Sequence, residues 1–155
     1  GAVGLEQPMR YLFAGWGFQA GALPQSFESC WTQACQRLES GDSTPCHWTF
    51  ALLSTRSQTS AARALQDWAS RIPGHIDWKT CAESAIAHIA TPSHSARLQQ
   101  RFATGSVAEA LALHAGAVLP HSRLLVLRTV SADRRATLAI AGLPLPTPFI
   151  PGVLP

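Results

Sequence analysis

The chain has 155 residues, 46 % of them hydrophobic and only 14 % charged, a balance that excludes intrinsic disorder and supports one domain with a core of its own. Its net charge of +3, from 12 basic and 9 acidic residues, is too small to track a phosphate backbone, so nucleic acid is not an expected partner. No apolar run approaches the roughly 20 residues of a membrane span and no secretory signal opens the chain, so no membrane partner is expected and the location is read as cytoplasmic.

Residues 1–8 read as a short disordered start. Residues 9–14 then form a predicted strand running into the glycine-rich stretch Gly15-Trp16-Gly17-Phe18-Gln19-Ala20-Gly21, which reads as a turn. Phe27, Cys30, Trp31, Ala34 and Leu38 recur at helical spacing, with Gly41 placed as a terminator. Residues 47–53 are apolar enough for a buried strand. Ala61, Ala64, Leu65 and Trp68 mark the next helical face, which Pro73-Gly74 stops.

Thr80 with Glu83 has the spacing of a capping box, and Ala82, Ala85, Ile86 and Ile89 supply a stripe for a third helix ending at Thr91-Pro92. The polar residues 92–104, with Arg97, Gln99, Gln100 and Arg101, fit a loop or a short helix. Ser106 and Glu109 form a second capping-box pattern at the start of a helix whose Val107, Ala110, Leu111 and His114 share a face, with Gly116 after it. Residues 124–130 and 136–141 flank a connection short enough for a hairpin, so this pair is expected antiparallel. Residues 143–155 hold five of the 11 prolines and read as a tail. The alternation of strands and helices predicts an α/β fold, a three-layer α/β/α sandwich around a mixed, mostly parallel sheet of about five strands, with the domain over residues 9–142.

Cys30, Cys35, Cys46 and Cys81 lack both zinc-ribbon spacing and the density of a disulfide scaffold, and read as small buried hydrophobes. The six histidines show no ligand spacing either, so neither a metal nor a cofactor is expected. Eleven of the 12 cations are Arg, whose planar fork suits carboxylates.

Gly15, Gly17 and Gly21 invite an anion site at a helix N-terminus, but Ala20 stands where a dinucleotide fingerprint needs its third glycine. A plain tight turn and a carboxylate or ring-edge site remain as readings. No Gly-x-Ser-x-Gly elbow occurs, and Ser106 reads as a helix cap. Glu109 is either the N3 member of that cap or a general base able to activate water against an ester or lactone. Trp16, set between two glycines, is either core or a stacking surface for a flat ligand, whereas Trp31 and Trp68 fall on helix stripes and read as core.

Taken in order, these landmarks resemble the cobalamin-biosynthesis proteins of the CobE type and the C-terminal domain of CbiG. The resemblance rests on Gly15-Trp16-Gly17-Phe18-Gln19-Ala20-Gly21-Ala22, on Gly105-Ser106-Val107-Ala108-Glu109-Ala110 running on to Ala115-Gly116, and on Leu125-Val126-Leu127-Arg128 followed by Ala136-Thr137-Leu138-Ala139-Ile140-Ala141. It spans residues 9–142. Residues 54–60 lack the Lys and Glu common in the family, and Arg128 replaces the usual hairpin Lys.

What the resemblance implies is a role in corrin-ring construction near ring contraction, in the aerobic pathway for a stand-alone chain of this length. The implied ligand is a precorrin or corrin intermediate, flat and fringed with carboxylates, with other cobalamin-pathway enzymes as possible partners. Gly15, Trp16, Gly17, Phe18, Gly21, Gly105, Ser106, Arg128 and Thr137 are the expected ligand-binding residues, with Arg97 or Arg101 as further candidates. The expected function is a carrier or chaperone. The alternatives are a hydrolase opening a precorrin lactone with Glu109 as base, and a scaffold for another pathway enzyme docked through the proline-rich tail.

Overall fold

Strands covered on both faces need near-continuous apolar runs, and the chain supplies them: residues 12–16, 50–53 and 138–142 are all buried. The computed structural model describes residues 9–38, 45–93 and 106–144. In chain order they form β1 (Arg10–Phe18), α1 (Pro24–Arg37), β2 (Cys46–Leu53), a 3-10 turn (Ser54–Arg56), α2 (Ser60–Ala69), β3 (Ile76–Cys81), the one-turn α3 (Glu83–Ile86), α4 (Val107–Gly116), β4 (Arg123–Val130) and β5 (Ala136–Gly142).

The sheet order is β3-β2-β1-β5-β4. β1, β2 and β3 pair in parallel, while β5 runs antiparallel to both β1 and β4. Four strands therefore point one way and β5 opposes them, which is the expected mixed sheet of five strands. α1 and α2 cover one face through Phe27, Cys30, Ala34, Leu65 and Trp68. α4, with Ile86 of α3, covers the other through a seam of small residues, Ala108, Ala112 and Ala115, set around Leu111. The result is three layers.

α1 begins at Pro24, whose fixed φ suits the first helical position. Ser26 Oγ accepts the Leu23 N–H at 3.0 Å and donates to Asp133, in the turn between β4 and β5. That turn closes with Arg134 at φ 62, while Ser131 Oγ and an Asp133 oxygen accept the Arg135 N–H. The Ser131 and Ser26 hydroxyls donating to Asp133 hold its carboxyl below the usual range.

Two sequence expectations are corrected here. The stretch beginning at Gly15 is no turn at first: Gly15, Trp16, Gly17 and Phe18 are the last four residues of β1, paired with Ala139, Leu138, Thr137 and Ala136. Likewise, the helix expected to start near Thr80 is replaced by β3, which carries Thr80 opposite Leu52 and leaves only a single helical turn after Ala82. Thr80 therefore caps nothing. The strand escaped notice because it lies at the sheet edge and only Cys81 in it is buried, so its sequence carries no apolar run, and pairing with β2 outweighs the local helical spacing. Gly41, residues 1–8 and 94–105, and the tail from residue 145 lie outside the described residues.

Candidate functional site

Side chains alternate between the faces of a strand, and this alternation separates residues that the sequence groups together. Trp16 and Phe18 point to the α1 side. The Trp16 ring is 1 % exposed and packs edge-on against Phe27 and Trp68, with centroids 5.6 and 5.5 Å away, and at 5.5 Å from Phe50. Phe18, half-buried, meets Phe27 edge-on. Trp16 is thus a core residue and offers no face to a ligand, and its indole N–H has no acceptor among the described residues. Trp31 is only half-buried, and with Trp68 it lines a cleft of about 470 Å³ between α1 and the end of α2.

Gly15 faces α4, and Gly17, two residues on, lies on the same face of the sheet. A Cβ on Gly15 would stand 2.0 Å from the Ala108 carbonyl oxygen and 2.6 Å from the Ala112 nitrogen, so the missing side chain is what lets α4 lie against the sheet. At Gly17 the neighbour is Thr137, whose hydroxyl would be 2.6 Å from such a Cβ and donates to the Gly17 carbonyl at 3.4 Å. Gly21 is exposed, with its carbonyl held by Arg135 at 3.1 Å. Gly105, Arg97 and Arg101 fall outside the described residues.

The N-terminus of α4 completes this face. Ser106, fully buried, caps it by accepting the Glu109 N–H at 3.3 Å. Glu109 is 0 % exposed. Its Oε1 accepts the Ser93 N–H at 2.8 Å, and its Oε2 accepts the Ser93 hydroxyl at 2.7 Å and the Arg128 N–H at 2.8 Å. The carboxylate therefore ties together α4, the segment after α3, and β4.

Arg128 can donate to Glu109 because β4 bulges there: between Val126 opposite Ile140 and Thr129 opposite Leu138, two β4 residues face one of β5. Arg128, half-buried as a residue, has no ion-pair partner among the described residues. The structure thus gathers Gly15, Gly17, Ser106, Glu109 and Thr137 on the α4 face, brings the Arg128 backbone N–H to Glu109, and separates Trp16 and Phe18 from them. Ser93 is the member that sequence reasoning missed, since nothing in a polar stretch distinguishes a serine that meets a buried carboxylate 16 residues later.

Burial favours the protonated form of three of the four thiols. Burial pushes Cys30 up to about 12 and Cys35 up to about 11, and raises Cys81 as well. Cys30 Sγ donates to the Ala136 carbonyl at 3.3 Å in the gap between α1 and β5. At pH 8, Cys30 is expected to resist a thiol reagent in the native protein and to react fully once unfolded. Mass spectrometry of the labelled peptides checks this, and rapid native labelling of Cys30 would contradict its burial.

A family described as cobalamin synthesis G C-terminus matches residues 12–141. No curated protein matches the chain. Among solved structures the chain is similar to CobE, a protein from the cobalamin (vitamin B12) biosynthetic pathway, at 21 % identity and a TM-score of 0.64, over 92 % of this chain and 97 % of that one. That likeness is one of fold.

Proposed function

The chain belongs to the cobalamin synthesis G C-terminus family, and on that premise we propose that it serves cobalamin biosynthesis by binding a carboxylate-bearing corrin or precorrin intermediate and carrying it unchanged. The observation that favours carriage over hydrolysis is the state of Glu109. A general base needs a lone pair aimed at water or substrate. Here Oε1 already accepts one bond and Oε2 two, from Ser93 and Arg128, and the residue has no exposed surface through which substrate could reach it.

The binding edge in this reading lies at the N-terminal end of α4. Carboxylates at the ring's fringe meet the Arg128 guanidinium and the end of α4 where the helix dipole favours an anion. Thr137 and Gly17 flank it. No helix among the described residues is long and apolar enough to cross a membrane.

Tryptophan fluorescence during titration with a stable corrin polycarboxylic acid, followed by recovery of the ligand for mass measurement, tests this. Saturable quenching with the ligand returned intact is expected. Arg128→Ala is expected to weaken binding about tenfold, the scale of one lost charge-assisted contact, whereas Trp16→Phe leaves the affinity unchanged because that ring is core. Gain of one water or loss of a two-carbon fragment would replace the carrier with a hydrolase. No quenching at micromolar concentrations would leave a scaffolding role.

A further inference from the structure

Parallel pairing of β2 with β3 sets Trp48 opposite Ile76 and Thr49 opposite Asp77. One residue back along each strand, His47 lies opposite His75, and Asp77 returns to the same face two residues on. The Trp48 N–H donates to the His75 carbonyl at 3.2 Å, which pins the start of β3. His47 is half-buried beside Tyr11, with ring centroids 5.4 Å apart, while His75 and Asp77 are exposed.

The two imidazoles stand 4.8 Å apart, centre to centre, with the Asp77 carboxylate bridging them. Oδ2 is 2.7 Å from His47 Nε2, and Oδ1 is 2.8 Å from His75 Nε2. One ligating atom from each of the three residues falls within 4.8 Å of the others.

We propose that His47, His75 and Asp77 form a binding site for a divalent first-row transition cation of the Zn²⁺ class, with the remaining coordination position open to water or an external carboxylate. Two imidazole nitrogens and one carboxylate oxygen are a donor set for such ions, whereas Ca²⁺ and Mg²⁺ call for oxygen alone. Around a tetrahedral ion with bonds of about 2.0–2.1 Å, donors stand about 3.3 Å apart. A carboxylate donating through one oxygen keeps one of these nitrogen–oxygen pairs, which opens by about half an ångström, while rotation of the exposed His75 and Asp77 side chains brings the second imidazole nitrogen to the same ion. Each Nε2 then gives its lone pair to the cation, and any proton it carried moves to Nδ1 or to solvent.

The site is independent of the carrier reading. Tyr11 and His47 pair at the start of the strands, whereas α4 meets β1 further along at Gly15, toward the opposite end of the sheet. Spacing along the chain could not reveal it, because His47 lies on β2 whereas His75 immediately precedes β3 and Asp77 lies on it, with α2 between.

Calorimetric titration of the full chain with ZnCl₂ in a non-chelating buffer is the test. One equivalent is expected to bind in the micromolar range, with His75→Ala and Asp77→Asn each weakening binding by at least about tenfold. Both residues are exposed, so both variants are expected to fold, and thermal melts run alongside verify it. Cys46→Ser separates this site from the Cys46 thiol next to His47 in sequence, and is expected to bind as the parent does. Absence of one-equivalent binding below about 100 μM would overturn the proposal. So would binding undiminished in His75→Ala, or binding lost in Cys46→Ser and kept in His75→Ala.

Discussion

Glu109→Gln is expected to destabilise the protein by about 2–4 kcal/mol, lowering the melting temperature by roughly 4–16 °C in a chain of this size. Glutamine keeps the shape of the side chain but replaces one acceptor oxygen with a donor. Placed at Oε1, its amide NH₂ faces the Ser93 N–H; placed at Oε2, it faces the Arg128 N–H. The Ser93 hydroxyl can rotate to accept, but neither backbone donor can. One buried N–H is therefore stranded in either orientation, and the other bonds lose their charge assistance. Glu109→Ala costs more, because it strands both backbone donors and leaves a cavity. Thermal and denaturant melts of the two variants measure this, and an unchanged midpoint for Glu109→Gln would refute the tethering role.

This result bears on how function is assigned. A variant at Glu109 that loses activity would not thereby identify a catalytic base, since α4, the segment carrying Ser93, and β4 all lose their common anchor. Activity and ligand binding have to be compared at a temperature where the variant is shown to be folded. A double-mutant cycle of Glu109→Ala with Ser93→Ala is expected to be non-additive, because both substitutions remove the same hydroxyl–carboxylate bond.

Gly15→Ala is expected to cost about 3 kcal/mol or more, at the top of the range for overpacking a core. Its added carbon would meet backbone rather than a yielding side chain: the Ala108 carbonyl oxygen at 2.0 Å and the Ala112 nitrogen at 2.6 Å. Relief requires α4 to lift from β1, which also shifts Ser106 and Glu109 at its first turn. Gly21→Ala supplies the contrast. There the nearest atom would be an Arg135 nitrogen at 3.8 Å, an ordinary contact, and stability is expected to stay within about 0.5 kcal/mol. Equal effects at the two positions would contradict the close approach of α4 at Gly15. Melting curves of both variants decide it.

The two glycines look alike in the sequence, where they open and close one Gly-rich stretch. Only the pairing of residues 15–18 with β5 distinguishes them, by placing Gly15 inside a strand under a helix and Gly21 in the open. The fate of Trp16 follows from the same pairing. With glycines on both sides it resembles an exposed ring, yet the strand's two-residue period turns it to the α1 face among Phe27, Phe50 and Trp68. Its glycine neighbours face the opposite way.

Short-range patterns in the chain were enough for the α/β class, the first part of β1 and the buried β2, the helices α1, α2 and α4, the Ser106 cap and the closing hairpin. Each of these is written in local patterns, namely apolar runs, 3.6-residue periodicity, capping residues and a short connection. Tertiary structure alone decided β3, whose polar residues form a strand because β2 offers an open edge, and the bulge that turns the Arg128 N–H toward Glu109. It alone also brought Ser93 to Glu109, and His47 to His75 and Asp77. These features depend on partners far apart in the chain, and hydrogen bonds and register between distant segments leave no periodic trace in either segment.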